Sequence, residues 1–307
     1  MEGVGYSAGM PEATELKIGI ESLFDAAPPA PTFEAENGLR APFAWYGGKA
    51  AHASWLLKQF PEHRVFVEPF GGAANVLLSK RRSVVEIYND LDARLTNFFR
   101  VLRDRKSFDE LVRLASLTPY SRDEFVQLTL IDEPTEPVER AWWFFVRARQ
   151  SFGGAGMTKL TACFWAVSVR TRRHMAESVS KYLSAIDALP EIADRFRTVV
   201  VESLAAVELL AKYDAEDVFF YCDPPYLPDT RFQQKANMYG CEMTVEDHEK
   251  LLQAVLPLRG KVMISGYPSE LYDRVLAGWQ KSTRAVKSQM GNSGQERTEV
   301  IWMNYTL

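Results

Sequence analysis

Asp223-Pro224-Pro225-Tyr226 follows directly on the apolar run Val218–Cys222, and its residue types suit the capture of an amine. Two consecutive prolines remove two backbone donors and fix the chain as it leaves a strand, so the carbonyls there have few internal partners. The Asp223 carboxylate and the Pro224 carbonyl then form a rigid pair of acceptors, with the Tyr226 ring beside them. An exocyclic amine on a flat heterocycle offers two N–H donors and a π-face, which such a corner complements. A second feature, Val65-Phe-Val-Glu68-Pro69-Phe70-Gly71-Gly72, reads as an apolar strand ending in a carboxylate and a glycine turn. Small residues there let a ligand approach the backbone at the carboxyl end of a strand, where open α/β sheets bind ligands. The next apolar run, Val84–Tyr88, leads to Asp90, 22 residues after Glu68. An acid about 20 residues on, at the tip of the second strand, is placed to accept ribose hydroxyls. The plainer role for Asn89, Asp90 and Asp92 is to cap the following helix. The glycines do not spell G-x-G-x-x-G, and no helix N-terminus is prepared for a pyrophosphate, so a nicotinamide or flavin dinucleotide fits less well.

These residues need a sheet to hold them, and the sequence supplies one. Runs of strand length at Val65–Glu68, Val84–Tyr88, Thr198–Val201, Val218–Cys222, Lys261–Ser265 and Val300–Tyr305 alternate with stretches of helical period. That alternation predicts a mostly parallel, doubly wound α/β sheet with helices on both faces. Between about Leu95 and Arg197 the alternation stops and helical patterns dominate, at Leu95–Leu102, Phe108–Leu117, Val138–Arg149 and Arg172–Ile186. An inserted, largely helical domain over 106–197 accounts for this, dividing the α/β domain into 41–105 and 198–307. Residues 1–40 are acidic and proline-rich and read as a tail, with a short helix expected over Glu12–Phe24.

Composition removes several alternatives. With 307 residues, 47% of them hydrophobic, the chain can bury the core of one large domain. No apolar run approaches the roughly 18 residues needed to span a bilayer, and no cationic segment leads an apolar one, so a cytoplasmic protein is expected. Cys163, Cys222 and Cys241 have no C-x-x-C spacing and the histidines no paired ligand spacing, which argues against a disulfide scaffold and against a metal site. The net charge of -4 conceals an uneven distribution: residues 1–39 carry -6, which leaves +2 for the remainder. A nucleic-acid partner therefore requires local cationic patches.

Several motifs occurring in order carry a resemblance. Trp45-Tyr-Gly47-Gly48-Lys49, the Glu68 glycine segment, Asn89-Asp90 and Asp223–Tyr226 resemble, in sequence and order, the alpha-class (Dam-type) N6-adenine DNA methyltransferases. Lys261–Tyr267 and Arg297–Trp302 resemble that family's later strands. The resemblance implies a Rossmann-like class I methyltransferase fold and S-adenosylmethionine as cofactor, with S-adenosylhomocysteine as product and no metal. Cofactor contacts would fall on Trp45, Gly47, Gly48, Lys49, Glu68, Pro69, Phe70, Gly71, Gly72, Asp90 and Asp223, and the catalytic tetrapeptide on Asp223, Pro224, Pro225 and Tyr226. It also implies double-stranded DNA as partner and direct in-line methyl transfer to an adenine swung out of the helix. One departure is Ala74, where the family's F-x-G-x-G has its second glycine; a single methyl there is expected to cost little, or to tighten the cofactor pocket.

The same resemblance makes 106–197 a target-recognition region, with Phe144–Phe152 as its helix-to-hairpin passage. Arg147, Arg149, Lys159, Arg170, Arg172 and Arg173 are its candidate DNA contacts, joined by Arg231 and Tyr239 in a polar segment, Leu227–Thr244, that reads as a lid or a long connection. Trp142 and Trp143 are expected in the core. Transfer to cytosine N4 would use the same amine geometry, and Cys222 invites a nucleophilic thiol, although its apolar strand favours a buried one. RNA or protein-glutamine methylation, which uses a related N-P-P-Y corner, fits less well with Asp at the first position. A non-catalytic DNA-binding regulator of this fold is the reading from another class. A homodimer, a cognate restriction nuclease and the recognition sequence are left open.

Overall fold

In the computed structural model, the described residues are 38–45, 47–152, 165–227, 242–287 and 296–307. The acidic tail, Lys159, Arg231, Tyr239, Cys163 and Cys241 lie outside them.

Five short strands carry the parallel part of the sheet: β1 (Val65–Glu68), β2 (Val85–Asn89), β5 (Val199–Glu202), β6 (Val218–Cys222) and β7 (Lys261–Gly266). Every residue of β1 and β6 is buried. Continuous apolar strands without alternation are what a sheet covered on both faces requires. Two further strands, β8 (Gln280–Lys287) and β9 (Glu296–Met303), close one side antiparallel, giving the order β5-β2-β1-β6-β7-β9-β8. After β1 the chain steps outward to β2 and β5, then returns to lay β6 and β7 on the other flank. The order therefore reverses between β1 and β6, and the crevice at their carboxyl ends is the expected ligand site. Register pairs Glu68 with Tyr88 and Val67 with Phe220, which brings Glu68, Asp90 and Asp223 to the same edge.

Helices flank the sheet: α1 (Ala53–Leu57), α2 (Asn75–Ser79), α9 (Ala206–Tyr213), α10 (Val245–Val255) and α11 (Glu270–Val275). Between β2 and β5 lie α3 (Ala93–Val101), α4 (Arg105–Leu117), α5 (Arg122–Leu130), α6 (Pro137–Gln150), α7 (Glu177–Asp187) and α8 (Leu189–Phe196). The N-terminus of each of α3, α4 and α5 is set by a side chain that accepts a backbone N–H, from Asp92, Asp104 and Ser121 respectively. Phe99 stacks on Phe196 at 4.1 Å and Phe43 meets Phe144 edge-on at 5.0 Å, so α3, α6 and α8 share one core with Phe66 and Tyr88 of the sheet. Trp143 is buried, as expected, and Trp142 packs at the margin of that core.

Three expectations need correction. The helix expected over Arg172–Ile186 starts only at Glu177. Before it, β3 (Thr171–Arg172) and β4 (Met175–Ala176) form a two-stranded ribbon whose turn residues, Arg173 and His174, have φ of 54° and 58°. Positive φ at both positions suits glycine or asparagine, so this turn is strained. The elements α5, α8 and β8 are additions to the pattern the sequence predicts, and β9 starts four residues before the expected run.

At the amino end of β2, Glu86 is the centre of a buried ion cluster. Arg195 of α8 donates to both of its oxygens, and Lys80 donates to Oε1 at 2.5 Å, all three residues being buried. Burial alone would raise the Glu86 carboxyl, but the Arg195 bonds and the Lys80 charge hold it below its usual range. Burial pushes the Lys80 ammonium down to about 8.

Candidate active site

The glycine turn after β1 is built by close contact. A Cβ on Gly71 would lie 2.2 Å from the Tyr88 ring, so no larger residue fits without displacing it. Gly72 has φ 49° and lies beneath the Trp45 indole, where a Cβ would come within 2.9 Å. Hydrogen bonds pin the turn to β2: Gly71 N donates to Asn89 O at 2.8 Å, and Tyr88 Oη donates to Gly72 O at 2.7 Å. Ala74 is buried with φ 57° and does not line the cavity, so the departure from glycine is felt as left-handed backbone strain and leaves the pocket untouched.

Asp90 and its neighbours divide their tasks. Asp92 is the cap of α3, accepting from Arg94 N at 2.9 Å. Asn89 is a structural pin between Pro69 and Leu204. Asp90 borders the cavity, its Oδ2 accepting from Gly72 N at 2.9 Å and its Oδ1 from Asp92 N at 2.8 Å. Each oxygen retains a lone pair for a ligand hydroxyl. Burial pushes the Asp90 carboxyl up to about 6.

Glu68 ends β1 at 2% exposure, and its Oε2 has no hydrogen-bond partner among the described residues. Burial, reinforced by the nearby Asp223 charge, raises its carboxyl well above the usual range. An orphaned acid of this kind, lining a cavity, is a site for a donor that arrives with a ligand.

Asp223 follows β6 and is held from two sides. Its Oδ1 accepts from Ser265 Oγ at 2.7 Å and pairs with Lys49 Nζ at 2.7 Å. Burial raises the Asp223 carboxyl and Lys49 opposes that rise. For Lys49, burial acts downward, yet Asp223 and Glu299 together hold its ammonium above the usual value. Lys49 Nζ also lies 4.7 Å from the centroid of the Tyr226 ring, and Tyr226 donates its hydroxyl to Glu299. The Tyr226 ring, expected as an open stacking face, is only 7% exposed, with Lys49 over it and Tyr267 edge-on at 4.5 Å. Cys222 is fully buried and its thiol is pushed far up by burial, which makes it structural.

One cavity of about 500 Å³ joins these parts. Its lining contains every residue the sequence nominated for cofactor binding or catalysis, from Trp45 and Lys49 through Glu68–Gly72 and Asp90 to Asp223–Tyr226. Volumes of 300–1,000 Å³ are usual for small-molecule sites. At the Asp90 end the apolar Leu91, Ala205, Ala206 and Val207 join the wall, and Met243 and Lys250 also line it. Ser265 and Glu299 are site residues that lie within the Lys261–Tyr267 and Arg297–Trp302 stretches but to which the sequence assigns no role. For Glu299 a signal exists, namely an acid directly before the apolar run Val300–Met303.

The expected DNA contacts are not brought together. Arg147 is 2% exposed, with its guanidinium 4.1 Å from the Trp143 ring, and burial pushes it down to about 10. It is a core residue and does not present its charge to a ligand, which corrects the expectation. Arg149 is half-buried and donates to the Lys181 carbonyl. Arg170, Arg172 and Arg173 are exposed on or beside the strained ribbon.

A parallel sheet whose order reverses at β1 and β6, with a glycine turn and an acidic corner facing one cavity, defines a Rossmann-like methyltransferase. Residues 45–290 match the D12 class N6 adenine-specific DNA methyltransferase family, and the chain belongs to it. Family members take their methyl group from S-adenosylmethionine. Among relatives, the DNA N-6-adenine-methyltransferase of Escherichia phage P1 is 26% identical over 83% of this chain and 33% of its own length. The DNA adenine methylase of Serratia marcescens is 28% identical over 76% of this chain and 85% of its own. The chain thus spans about a third of the phage relative's length.

Proposed function

We propose that this protein methylates N6 of an adenine within a specific sequence of double-stranded DNA, using S-adenosylmethionine. The observation that carries the reading is that the orphaned Glu68 and the preorganised Asp223 corner face one cavity. The residues fit the cofactor: Glu68 would take its ammonium, Asp90 its ribose hydroxyls, and the Gly71–Gly72 turn its close approach to the backbone. When bound, it supplies an electrophilic methyl group on a sulfonium.

This chain's own residues then have definable tasks. Asp223 Oδ2 and the Pro224 carbonyl accept the two N6 hydrogens, which favours a more tetrahedral amine, and the carboxylate stabilises the positive charge that develops on nitrogen. Alignment of the two reactants supplies much of the remaining rate. Because the target atom is inaccessible in a duplex, the base leaves the stack at a cost of a few kcal/mol. Stacking on an aromatic returns roughly 1–3 kcal/mol, and for Tyr226 it requires Lys49 to yield the ring face. No thiolate takes part, since Cys222 is sealed in β6.

Residues 106–197 act as the target-recognition region in this reading, with Arg170, Arg172 and Arg173 as phosphate contacts. Expression in a methylation-free host, followed by single-molecule sequencing of its genome, is the direct test. N6-methyladenine at one recurring motif is expected. N4-methylcytosine, or no modification by a protein that binds S-adenosylmethionine, refutes it.

A further inference from the structure

Glu299 is a buried carboxylate with no task yet assigned. Its strand β9 pairs with β7 as far as Val300 with Gly266, and Glu299 itself pairs with Arg284 of β8. Since β9 runs against the parallel strands, its early residues stand at their carboxyl edge, beside the acidic corner. Thr298 is exposed, whereas every residue from Glu299 to Met303 is buried, and strand alternation puts Glu299 on the same face as the apolar Ile301 and Met303. A valine or isoleucine would suit that register; a carboxylate there must be desolvated, and the compensation lies in what it touches.

It touches the two side chains that shape the corner. Glu299 accepts the Tyr226 hydroxyl and lies 3.6 Å from Lys49 Nζ, while Lys49 also contacts Asp223 Oδ1 at 2.7 Å. Among the described residues, only Oδ1 of Asp223 is engaged, by Lys49 and Ser265. We propose that Glu299 is a positioning residue of the transfer site, which anchors the Tyr226 ring through its hydroxyl and shares Lys49 with Asp223. Sharing keeps the ammonium on one oxygen of Asp223, so that Oδ2 remains an acceptor for the amine. Without Glu299 the ammonium settles on Asp223 and the ring loses its anchor. This inference rests on the methyl-transfer reading above.

The test uses the full chain with S-adenosylmethionine and DNA carrying the mapped motif. Glu299→Ala removes both contacts; Glu299→Gln keeps an acceptor for Tyr226 but loses the charge. Cofactor affinity is expected to stay within about threefold, while the single-turnover rate per titrated site falls about 100-fold in Glu299→Ala and about tenfold in Glu299→Gln, as misplaced reacting groups predict. Loss of a negative neighbour also lets Asp223 lose its proton more easily, so the acid limb of the Glu299→Gln rate moves to lower pH. If instead stability falls while the rate per site and the acid limb stay put, Glu299 is merely structural and the proposal is overturned. A crystal structure of Glu299→Ala gives a readout independent of activity. Lys49 and Tyr226 unmoved there would overturn the proposal at any rate; both displaced, with a wild-type chain that methylates no DNA, would refute the function reading and leave the positioning role standing.

Discussion

Two three-charge clusters, one buried and one bordering the cavity, sit at opposite ends of the same sheet, and they are built to opposite stoichiometries. At the amino end of β2, Glu86 is held by two cations, Arg195 and Lys80, which between them engage both of its oxygens. At the carboxyl end of β6, one cation, Lys49, serves two carboxylates, Asp223 and Glu299, and Asp223 keeps an oxygen toward the cavity. The first cluster resolves its charges internally and has nothing to offer a ligand. The second is deficient in positive charge at the place where a sulfonium and a methylated amine would bring it. Burial alone therefore does not separate structural from functional charge; the balance within the cluster does.

Removing one carboxylate from each cluster should give opposite phenotypes. Asp223→Ala is expected to lower single-turnover methyl transfer by about 1,000-fold or more while DNA affinity and the unfolding midpoint hold, measured by radiolabelled transfer and urea denaturation. Near wild-type turnover would remove Asp223 from the chemistry. Glu86→Gln strands two buried cations and should cost about 3–5 kcal/mol of stability, with the rate per folded molecule unchanged. Its pH signature has a definite sign. The Glu86 carboxyl is depressed in the folded state, so its contribution is present above the unfolded value of about 4.3 and is lost as pH falls through the folded one. The acid branch of the stability curve should accordingly flatten in the variant.

Glu68→Gln probes a third arrangement, a carboxyl with no cation of its own. Its raised value means that an ammonium ligand must displace a proton, so wild-type affinity for S-adenosylmethionine should rise with pH. The substitution should weaken binding by about 10- to 100-fold at high pH and less at low pH, seen by calorimetry. The smallest effect is expected at the ribbon. Replacing Arg173-His174 with Asn-Gly relieves the positive-φ strain and should raise the melting temperature by a few degrees. If Arg173 neutralises a phosphate, the salt slope of DNA binding should also fall, by about one in this variant. An unchanged slope would move the DNA surface elsewhere.

Legibility in the sequence follows burial. Both Val65–Glu68 and Val218–Cys222 are readable to the residue, because a strand covered on both faces is apolar throughout. Gln280–Lys287 is not, since an edge strand written QKSTRAVK carries no continuous apolar run. The ribbon at 171–176 merges with the following helix in the sequence pattern because nothing in Thr-Arg-Arg-His marks a type I′ turn, whose usual glycine and asparagine are absent. Arg147 misleads because the second half of α6 is covered nearly all round, so the one-dimensional pattern does not say which charge faces inward. Ordered motifs reveal the lining of the cavity, but pairing between side chains far apart in the chain, such as Tyr226 with Glu299, has no local signature.

The interior position of β9, inserted between β7 and the edge strand β8 although it follows both in the chain, also has a temporal meaning. While the protein is still being translated, every cavity-lining residue can have left the ribosome before Glu299 does. A nascent chain stalled at Lys287 should therefore lack methyl-transfer activity, and adding the β9 segment in trans offers a way to complement it.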